Sequence, residues 1–339
     1  NSCFMFPVSC ALKIRVRIGL CKEAWGMKQS NLMYGSDIIS IDQFDPESIE
    51  LVMNTSREME EIVTSDGGSD ILKGKMMTAL FYEPSSRTFG SFVAAMSRLG
   101  GGVIPLQGVT YSSVAKGETL ADTVRTFSSY SDVVVIRHPE VGSARMAADF
   151  SEKPIINAGD GVGEHPTQAL LDLFTIKKRL GGIENLTLTM VGDLVNGRTV
   201  HSLSKLVSLH HGVTLHLVSP DILKMPTHLV DILTKRGVSV HQHETLDEVL
   251  GVTDVLYVTR IQKERFSDLD TYEKLKHHFV ITGATMKKLK KTGIVMHPFP
   301  RVGEIAMEVD LDTRAAYITD QMPNGMYVRM ALLRLVLAK

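Results

Sequence analysis

From Met27 onward the chain contains neither cysteine nor tryptophan: its three cysteines (Cys3, Cys10, Cys21) and its single tryptophan (Trp25) all lie in the first 26 of 339 residues. A cysteine-free body has no disulfides, no thiolate metal sites and no cysteine nucleophile, so its chemistry falls to other groups. Long apolar runs are also missing. No uninterrupted stretch reaches the roughly 18 residues that a transmembrane helix needs. Nor is there an excess of charge of one sign: the net charge is −1 and the isoelectric point about 6.9. That excludes the broad basic surface on which nucleic acid or an anionic membrane would bind, so any positive potential must be local, inside a cleft. What is present, 44% hydrophobic and 22% charged residues, is an ordinary globular composition, long enough for two domains of about 150 residues each.

The concentration of cysteine and tryptophan before Met27 sets residues 1–26 apart from the rest. Within them the apolar run Cys3 to Leu12 precedes Lys13, Arg15 and Arg17, the reverse of the charge order of a secretory signal. The readings are a linker, an upstream extension before an internal start at Met27, or an organelle-targeting segment. A cytoplasmic location is the expectation.

From Met76 on, apolar strands alternate with helical segments, the pattern of α/β layers with largely parallel sheets. Strands are expected at 76–82, 102–106, 132–137, 154–157, 186–192, 214–218, 238–241, 254–259 and 293–296. Pro166 to Leu180 reads as a helix, with Pro166 at its first position and Gly181-Gly182 after it, placed as a bridge between two sets of strands. A last helix is expected from about Met326 to Leu337, burying Met326, Met330, Leu333 and Leu337. These assignments give a domain at 27–165, completed by the C-terminal helix at about 323–339, and a second domain at 166–322. The basic run Lys287-Lys288-Leu289-Lys290-Lys291 reads as a solvated helix face.

The most informative segment is Glu83-Pro84-Ser85-Ser86-Arg87-Thr88, where the first strand gives way to an amphipathic helix whose buried face is Phe89, Phe92, Val93, Met96 and Leu99. Hydroxyls and free N–H groups gather there at the positive end of a helix. An arginine in that first turn opposes the helix dipole by roughly 0.3–1 kcal/mol unless an anion lies between them. The alternative is an ordinary Ser/Thr cap with a solvated arginine. The same arrangement recurs after later strands: Arg137-His138-Pro139; Asn157 to Gly161 leading to His165 just before Pro166; Gly192 to Arg198; and Thr259-Arg260-Ile261-Gln262, with Arg265 beyond. Carboxyl ends of strands are where open α/β sheets bind ligands. Each segment alone could be structural; together they describe an anion site. Gly192 to Gly197 lacks both the Lys-Ser/Thr of a P-loop and the G-x-G-x-x-G spacing, so it carries no nucleotide assignment. A helix dipole disfavours cationic His165 and leaves a neutral imidazole able to donate to a carbonyl oxygen. The segment Gln107 to Gly117 is longer than an ordinary strand-to-helix loop and carries Ser112, Ser113 and Lys116; it is either decoration or a lid.

With these residues assembled, the chain from about Met33 to its end resembles the aspartate carbamoyltransferase family, most closely the aspartate-transcarbamoylase domain of the multifunctional pyrimidine-synthesis polypeptide of animals. The matching segments are SSRT at Ser85, KGE at Lys116, RHP at Arg137, GDGVGEHPTQ from Gly159, VGDLVNGRTVHS from Val191, TRIQKERF from Thr259, HPFPR from His297 and NGMY from Asn324. The resemblance implies a carbamoyltransferase fold of two mainly parallel α/β domains. It implies transfer of a carbamoyl group from carbamoyl phosphate to L-aspartate, with no metal or organic cofactor. By motif, Ser85, Ser86, Arg87, Thr88 and Arg137 would hold phosphate, and Thr88, Arg137 and His165 would polarise the carbonyl oxygen. Gln168 and the Pro298 carbonyl would hold the carbamoyl nitrogen; Phe299 adjoins them. Arg198, Arg260 and Gln262 would hold the aspartate carboxylates. Ser112 and Lys116 would reach into a neighbouring subunit's site, implying a homotrimer with shared sites. Glu83 would pair with Arg198 and Arg265 on domain closure. Other enzymes of pyrimidine synthesis are the further implied partners; nucleic acid and membranes are not.

Planar guanidinium forks match two carboxylates better than the cationic side chain of ornithine. Ornithine transferases carry an H-C-L-P motif and a Ser-Met-Gly loop; here the motif is His297-Pro298-Phe299-Pro300 and that loop is absent. Three departures from the family pattern stand out. Phe299 replaces leucine or methionine, Ser86 replaces threonine, and Gly303 replaces Asp or Asn, which is expected to loosen its loop. Two competing functions are a carbamoyltransferase for another amine and a non-catalytic assembly module. A module should have lost some of Arg87, Lys116, His165, Arg198 and Arg260, and all are present.

Overall fold

A computed structural model of the chain describes residues 32–108, 117–266, 268–276 and 278–339. The expected residues 1–26 and the loop residues Ser112, Ser113 and Lys116 lie outside them. Nine strands occur among the described residues, in two sheets. The first holds β1 (Met76–Phe81), β2 (Gly102–Gln107), β3 (Val133–His138) and β4 (Ile155–Asp160) in the order β2-β1-β3-β4. The second holds β5 (Thr187–Val191), β6 (Thr214–Val218), β7 (Ser239–His243), β8 (Val255–Val258) and β9 (Ile294–Met296) in the order β7-β6-β5-β8-β9. Every pairing is parallel. The central strands are mainly apolar, as burial on both faces requires. In each sheet the chain starts in the middle, builds outward, then jumps back to the other side of its first strand. The reversals fall between β1 and β3 and between β5 and β8, and there the crossover helices leave a crevice open.

The helices are α1 (Pro46–Asp66), α2 (Ser86–Arg98), α3 (Leu120–Tyr130), α4 (Ser143–Phe150), α5 (Pro166–Leu180), α6 (Arg198–Val207), α7 (Thr227–Lys235), α8 (Leu269–Leu275), α9 (Gly283–Lys288), α10 (Ala316–Thr319) and α11 (Gln321–Leu337). α5 has the expected bounds and is closed by Gly181 at φ 82°. α1 precedes the region where strand alternation is visible. Its own signals are local: an Asp45/Ser48 capping box, Pro46 in the first turn and Gly67 at φ 76°.

α11 differs from expectation at its start. It begins at Gln321 rather than Met326, because Pro323 falls in the first turn, where the missing N–H has no intrahelical partner to lose. It is also buried on nearly every side, including Tyr327, Val328, Arg329 and Met330, and packs against α1, α2 and α5. The basic run is not one solvated helix face. α9 ends at Lys288, Leu289 is buried, and Lys288 and Lys290 pair with Asp247 and Asp254, each at 2.5 Å.

One apolar cluster reaches from β1 and α2 through α5 and α11 to β5, β6 and β8. The two sheets are therefore joined through these helices. Truncation of Leu333, fully buried on α11, should cost about 2–5 kcal/mol in urea denaturation for Leu333→Ala; a loss well under 1 kcal/mol would contradict this packing.

Candidate active site

The carboxyl ends of β1, β3, β4, β5, β8 and β9 open onto one cleft of about 590 Å3. All the sequence-predicted site residues that fall among the described ones line it. Ser112 and Lys116 lie outside the described residues.

The first-sheet half begins at the start of α2. Ser85 is its N-cap, but its side chain makes no capping hydrogen bond, which leaves the hydroxyl available to a ligand. Ser86, Arg87 and Thr88 form the first turn. Thr88 is buried, while burial and the nearby Arg260 guanidinium hold the Arg87 pKa below its ordinary value. Arg137 projects from the end of β3 and is buried. Its Nη1 donates to the Ala158 carbonyl at 3.1 Å and its Nη2 pairs with Glu83 at 3.1 Å, while Nε has no protein partner among the described residues. Burial, and next the Arg198 charge, push it down to about 10, so it remains a cation at neutral pH. Gly159, at φ 115°, makes room for this pair: a Cβ there would stand 2.8 Å from Arg137 Nη1 and 3.3 Å from Arg198 Cζ.

Glu83 pairs with Arg198 as expected, but its second partner is Arg137. It bridges Arg137 (3.1 Å) and Arg198 (3.3 Å), whereas Arg265 is exposed at the cleft edge and the expected Glu83–Arg265 pair is not among the ion pairs of the described residues. One carboxylate thus sits between two guanidiniums from different sheets.

His165 is the residue before α5 and is buried; its N–H donates to Ser202 Oγ at 3.1 Å. Its pKa lies well below the ordinary histidine value. The largest cause is burial, followed by the charges of Arg198, Arg137 and Arg329, rather than the helix dipole alone. The imidazole is therefore neutral at pH 7. One turn on, Gln168 donates through Nε2 to Asp172 at 2.9 Å.

The second-sheet half is set by another close approach. A Cβ on Gly192 (φ 120°) would lie 2.3 Å from the Thr259 carbonyl oxygen, so only glycine lets the ends of β5 and β8 come this near. Arg198 opens α6 and donates to the Gly161 carbonyl. Arg260 is clasped by both oxygens of Glu264, which raises its pKa, so an incoming carboxylate would have to exchange with Glu264. Gln262 donates through Nε2 to the Asn196 carbonyl at 3.1 Å. Around Pro298, the loop is pinned by His297: its Nδ1 accepts from the Phe299 N–H at 2.8 Å and its Nε2 faces Glu304 at 2.6 Å. Phe299 holds φ 56°, an unusual value for a bulky residue, with its ring against His297 and Tyr317. Beside Gly303 the Val302 N–H donates to Glu304 at 2.8 Å, and Glu304 is buried.

Four buried polar residues in or beside the cleft escape motif reading: Asp172, Tyr257, Gln321 and Arg329. Arg329, on α11, is buried with Nη1 on the Gly325 carbonyl (3.0 Å) and its guanidinium over Phe92. Asp172 accepts from Gln168, from Gln321 at 2.6 Å and from Tyr257 at 2.7 Å; burial raises its pKa to about 7. The available signal was a lone charge inside an apolar helical face, at QALLDLF and MYVRMALL.

The cleft gathers six guanidiniums, Arg87, Arg137, Arg198, Arg260, Arg265 and Arg329, against few carboxylates. It is built for anions with more than one acidic group, beside a neutral imidazole able to serve a carbonyl oxygen. Among the described residues no three His, Cys, Asp or Glu side chains converge as a metal site.

Residues 36–178 match the family model "Aspartate/ornithine carbamoyltransferase, carbamoyl-P binding domain", and residues 184–336 match "Aspartate/ornithine carbamoyltransferase, Asp/Orn binding domain". The chain is 52% identical over 306 residues to the multifunctional protein pyr1-3 of Dictyostelium discoideum, covering 90% of this chain but only 14% of that protein. It is 50% identical over 306 residues to the aspartate carbamoyltransferase catalytic subunit of Thermoplasma volcanium, covering 90% of this chain and 99% of that one. A crystal structure of aspartate transcarbamoylase from Trypanosoma cruzi in complex with carbamoyl phosphate and aspartate superposes with a TM-score of 0.86 at 45% identity, over 90% of this chain and 98% of that chain.

Two outcomes follow from the site's geometry. In the ligand-free protein the His165 imidazole should stay neutral from pH 8 to pH 5.5 by nitrogen-15 NMR, assigned against His165→Gln; titration near 6.5 would contradict its burial among guanidiniums. Gly159→Ala should weaken inorganic phosphate binding by roughly tenfold or more in calorimetry, since it displaces Arg137 and Arg198 together.

Proposed function

This chain belongs to the aspartate carbamoyltransferase family, and we propose that it transfers the carbamoyl group of carbamoyl phosphate to the amine of L-aspartate, giving N-carbamoyl-L-aspartate and phosphate for pyrimidine synthesis. The observation that carries the reading is the convergence of anion-reading groups from the switch points of two separate sheets in one cleft. One sheet offers a helix N-terminus with Ser85, Ser86, Arg87 and Thr88, and Arg137 beside it. The other offers Arg198, Arg260 and Gln262. Two anionic substrates would be held side by side, one from each sheet.

In this reading the phosphate sits at the start of α2, where backbone N–H groups, hydroxyls and two guanidiniums neutralise it. Thr88, Arg137 and neutral His165 face the carbonyl oxygen, whose charge grows as the amine attacks. A C–N bond forms, the C–O bond to phosphate breaks, and the proton released by the amine goes to the departing phosphate. Positioning and charge neutralisation supply the catalysis, without a covalent nucleophile. Gln168 and the Pro298 carbonyl hold the carbamoyl nitrogen, and Arg198, Arg260 and Gln262 the two carboxylates of aspartate. Glu83, between Arg137 and Arg198, tethers the two halves and would move toward Arg265 as they close.

The proposal extends to a homotrimer whose sites are completed by Ser112 and Lys116 of a neighbouring subunit. It also extends to a place beside other enzymes of the pathway, supported by the likeness to a multifunctional protein. A cytoplasmic location completes it, on the charge order before Met27. Arg87→Ala should lower turnover by roughly 10²-fold to 10³-fold with an unchanged circular dichroism spectrum, and near-normal turnover would remove the phosphate-site assignment. Mixing Lys116→Ala with His165→Ala chains should restore part of the lost activity through hybrid sites; no restoration in verified mixed trimers would contradict shared sites.

A further inference from the structure

Asp172 lies at the end of a chain of hydrogen bonds whose direction can be worked out from one fixed donor. The backbone N–H of His297 can only donate, and it meets Gln321 Oε1 at 2.8 Å. The Gln321 amide is thereby set with Nε2 on its other side, where it donates to Asp172 Oδ1 at 2.6 Å. Asp172 Oδ1 then accepts a second amide, Gln168 Nε2, at 2.9 Å. That leaves Gln168 Oε1 turned away from Asp172, on a residue that lines the cleft. Oδ2 is occupied separately by the Tyr257 hydroxyl at 2.7 Å. A proton on Asp172 would sit on Oδ2, with Tyr257 turned toward Thr199, so Oδ1 accepts both amides in either state. Asp172 and Tyr257 are fully buried and Gln321 nearly so. The cluster draws on α5, α11, β8 and the loop after β9, so it ties the Gln168 amide and the backbone at His297-Pro298 to one carboxyl group.

Resting on the reading above, in which Gln168 and the Pro298 carbonyl face the carbamoyl nitrogen, we propose that Asp172 is a positioning residue that locks the Gln168 amide with its oxygen toward the substrate, and so makes the site select an –NH2 group. Two acceptors, one amide oxygen and one backbone carbonyl, fit the two hydrogens of a carbamoyl nitrogen. They give nothing to a methyl group of the same size. Without Asp172 the Gln168 amide can rotate and offer its own NH2, which would repel the substrate's nitrogen and tolerate a methyl. Specificity then arises from a carboxylate that never touches the substrate, acting through buried polar groups that would otherwise be unpaired.

The test compares carbamoyl phosphate with acetyl phosphate, which replaces the NH2 by CH3, in the full chain carrying Asp172→Leu or Asp172→Asn. Wild type should prefer carbamoyl phosphate by roughly 10²-fold or more in kcat/KM. If it shows no preference, the Gln168 reading itself falls, and with it this proposal. Asp172→Leu should cut that preference by about tenfold or more, mainly through a higher KM for carbamoyl phosphate, while inorganic phosphate binds within about threefold of wild type. Asp172→Asn keeps an oxygen for both amides and should recover the preference to within about fivefold. Equal losses for carbamoyl phosphate, acetyl phosphate and inorganic phosphate would overturn the proposal in favour of a packing role, as would an unchanged preference. Should Asp172→Leu fail to fold, Asp172→Ser leaves a polar hydroxyl at the buried position but is too short to hold the Gln168 amide. A reduced preference in that variant supports the proposal and a retained one overturns it.

Discussion

Mutual repulsion among guanidinium groups around one cleft is the constraint on which the rest of the structure depends. Two unit charges 4 Å apart repel by roughly 4 kcal/mol at an effective dielectric near 20, and Arg137, Arg198 and Arg329 are all substantially shielded from solvent. The fold tolerates this in three ways. Glu83 stands between Arg137 and Arg198, Glu264 clasps Arg260, and Arg329 lies over the Phe92 ring with Asp172 nearby. None of these is a full match for the charge present. The remaining deficit is what two anionic substrates supply, so the binding energy is stored as unsatisfied positive charge and an Arg137 Nε that has no partner among the described residues.

Such a charge cluster needs a rigid frame, and two parallel sheets joined through α5 and α11 supply it. Each sheet reverses its strand order once, and each reversal delivers arginine side chains into the same cleft. Gly159 and Gly192 allow the backbone to come close enough for this, one beneath the guanidinium pair and the other where β5 meets β8. The neutral state of His165 follows from the same arrangement, because a buried imidazole among three cations has no reason to take a proton.

The strands were legible in the sequence because parallel strands buried on both faces are short apolar runs between turn residues, and the nine runs from Met76 onward are where strands form. α11 was only partly legible: Pro323-Asn324-Gly325 reads as a breaker, and its meaning changes once the segment is the first turn of a helix. The anion-reading residues stood out because each motif puts charge at a strand end. Asp172, Gln321 and Arg329 did not, since a polar residue within an apolar helix looks like an exception to the pattern until the other helices are packed against it. Glu83's partner in this structure, Arg137 in place of Arg265, depends on how the two halves sit, and residue order carries no information on that. The cause of neutral His165 was likewise understated: a helix dipole is visible in the sequence, three converging arginines are not.

The central claim is that this cleft joins a carbamoyl donor to an acceptor with two carboxylates. It is tested most directly by following phosphate release and N-carbamoyl product from carbamoyl phosphate, with L-aspartate and L-ornithine offered side by side to the purified chain. The account predicts turnover with aspartate and none above background with ornithine. Turnover with ornithine, or with neither acceptor in a folded protein that still binds carbamoyl phosphate, would contradict it.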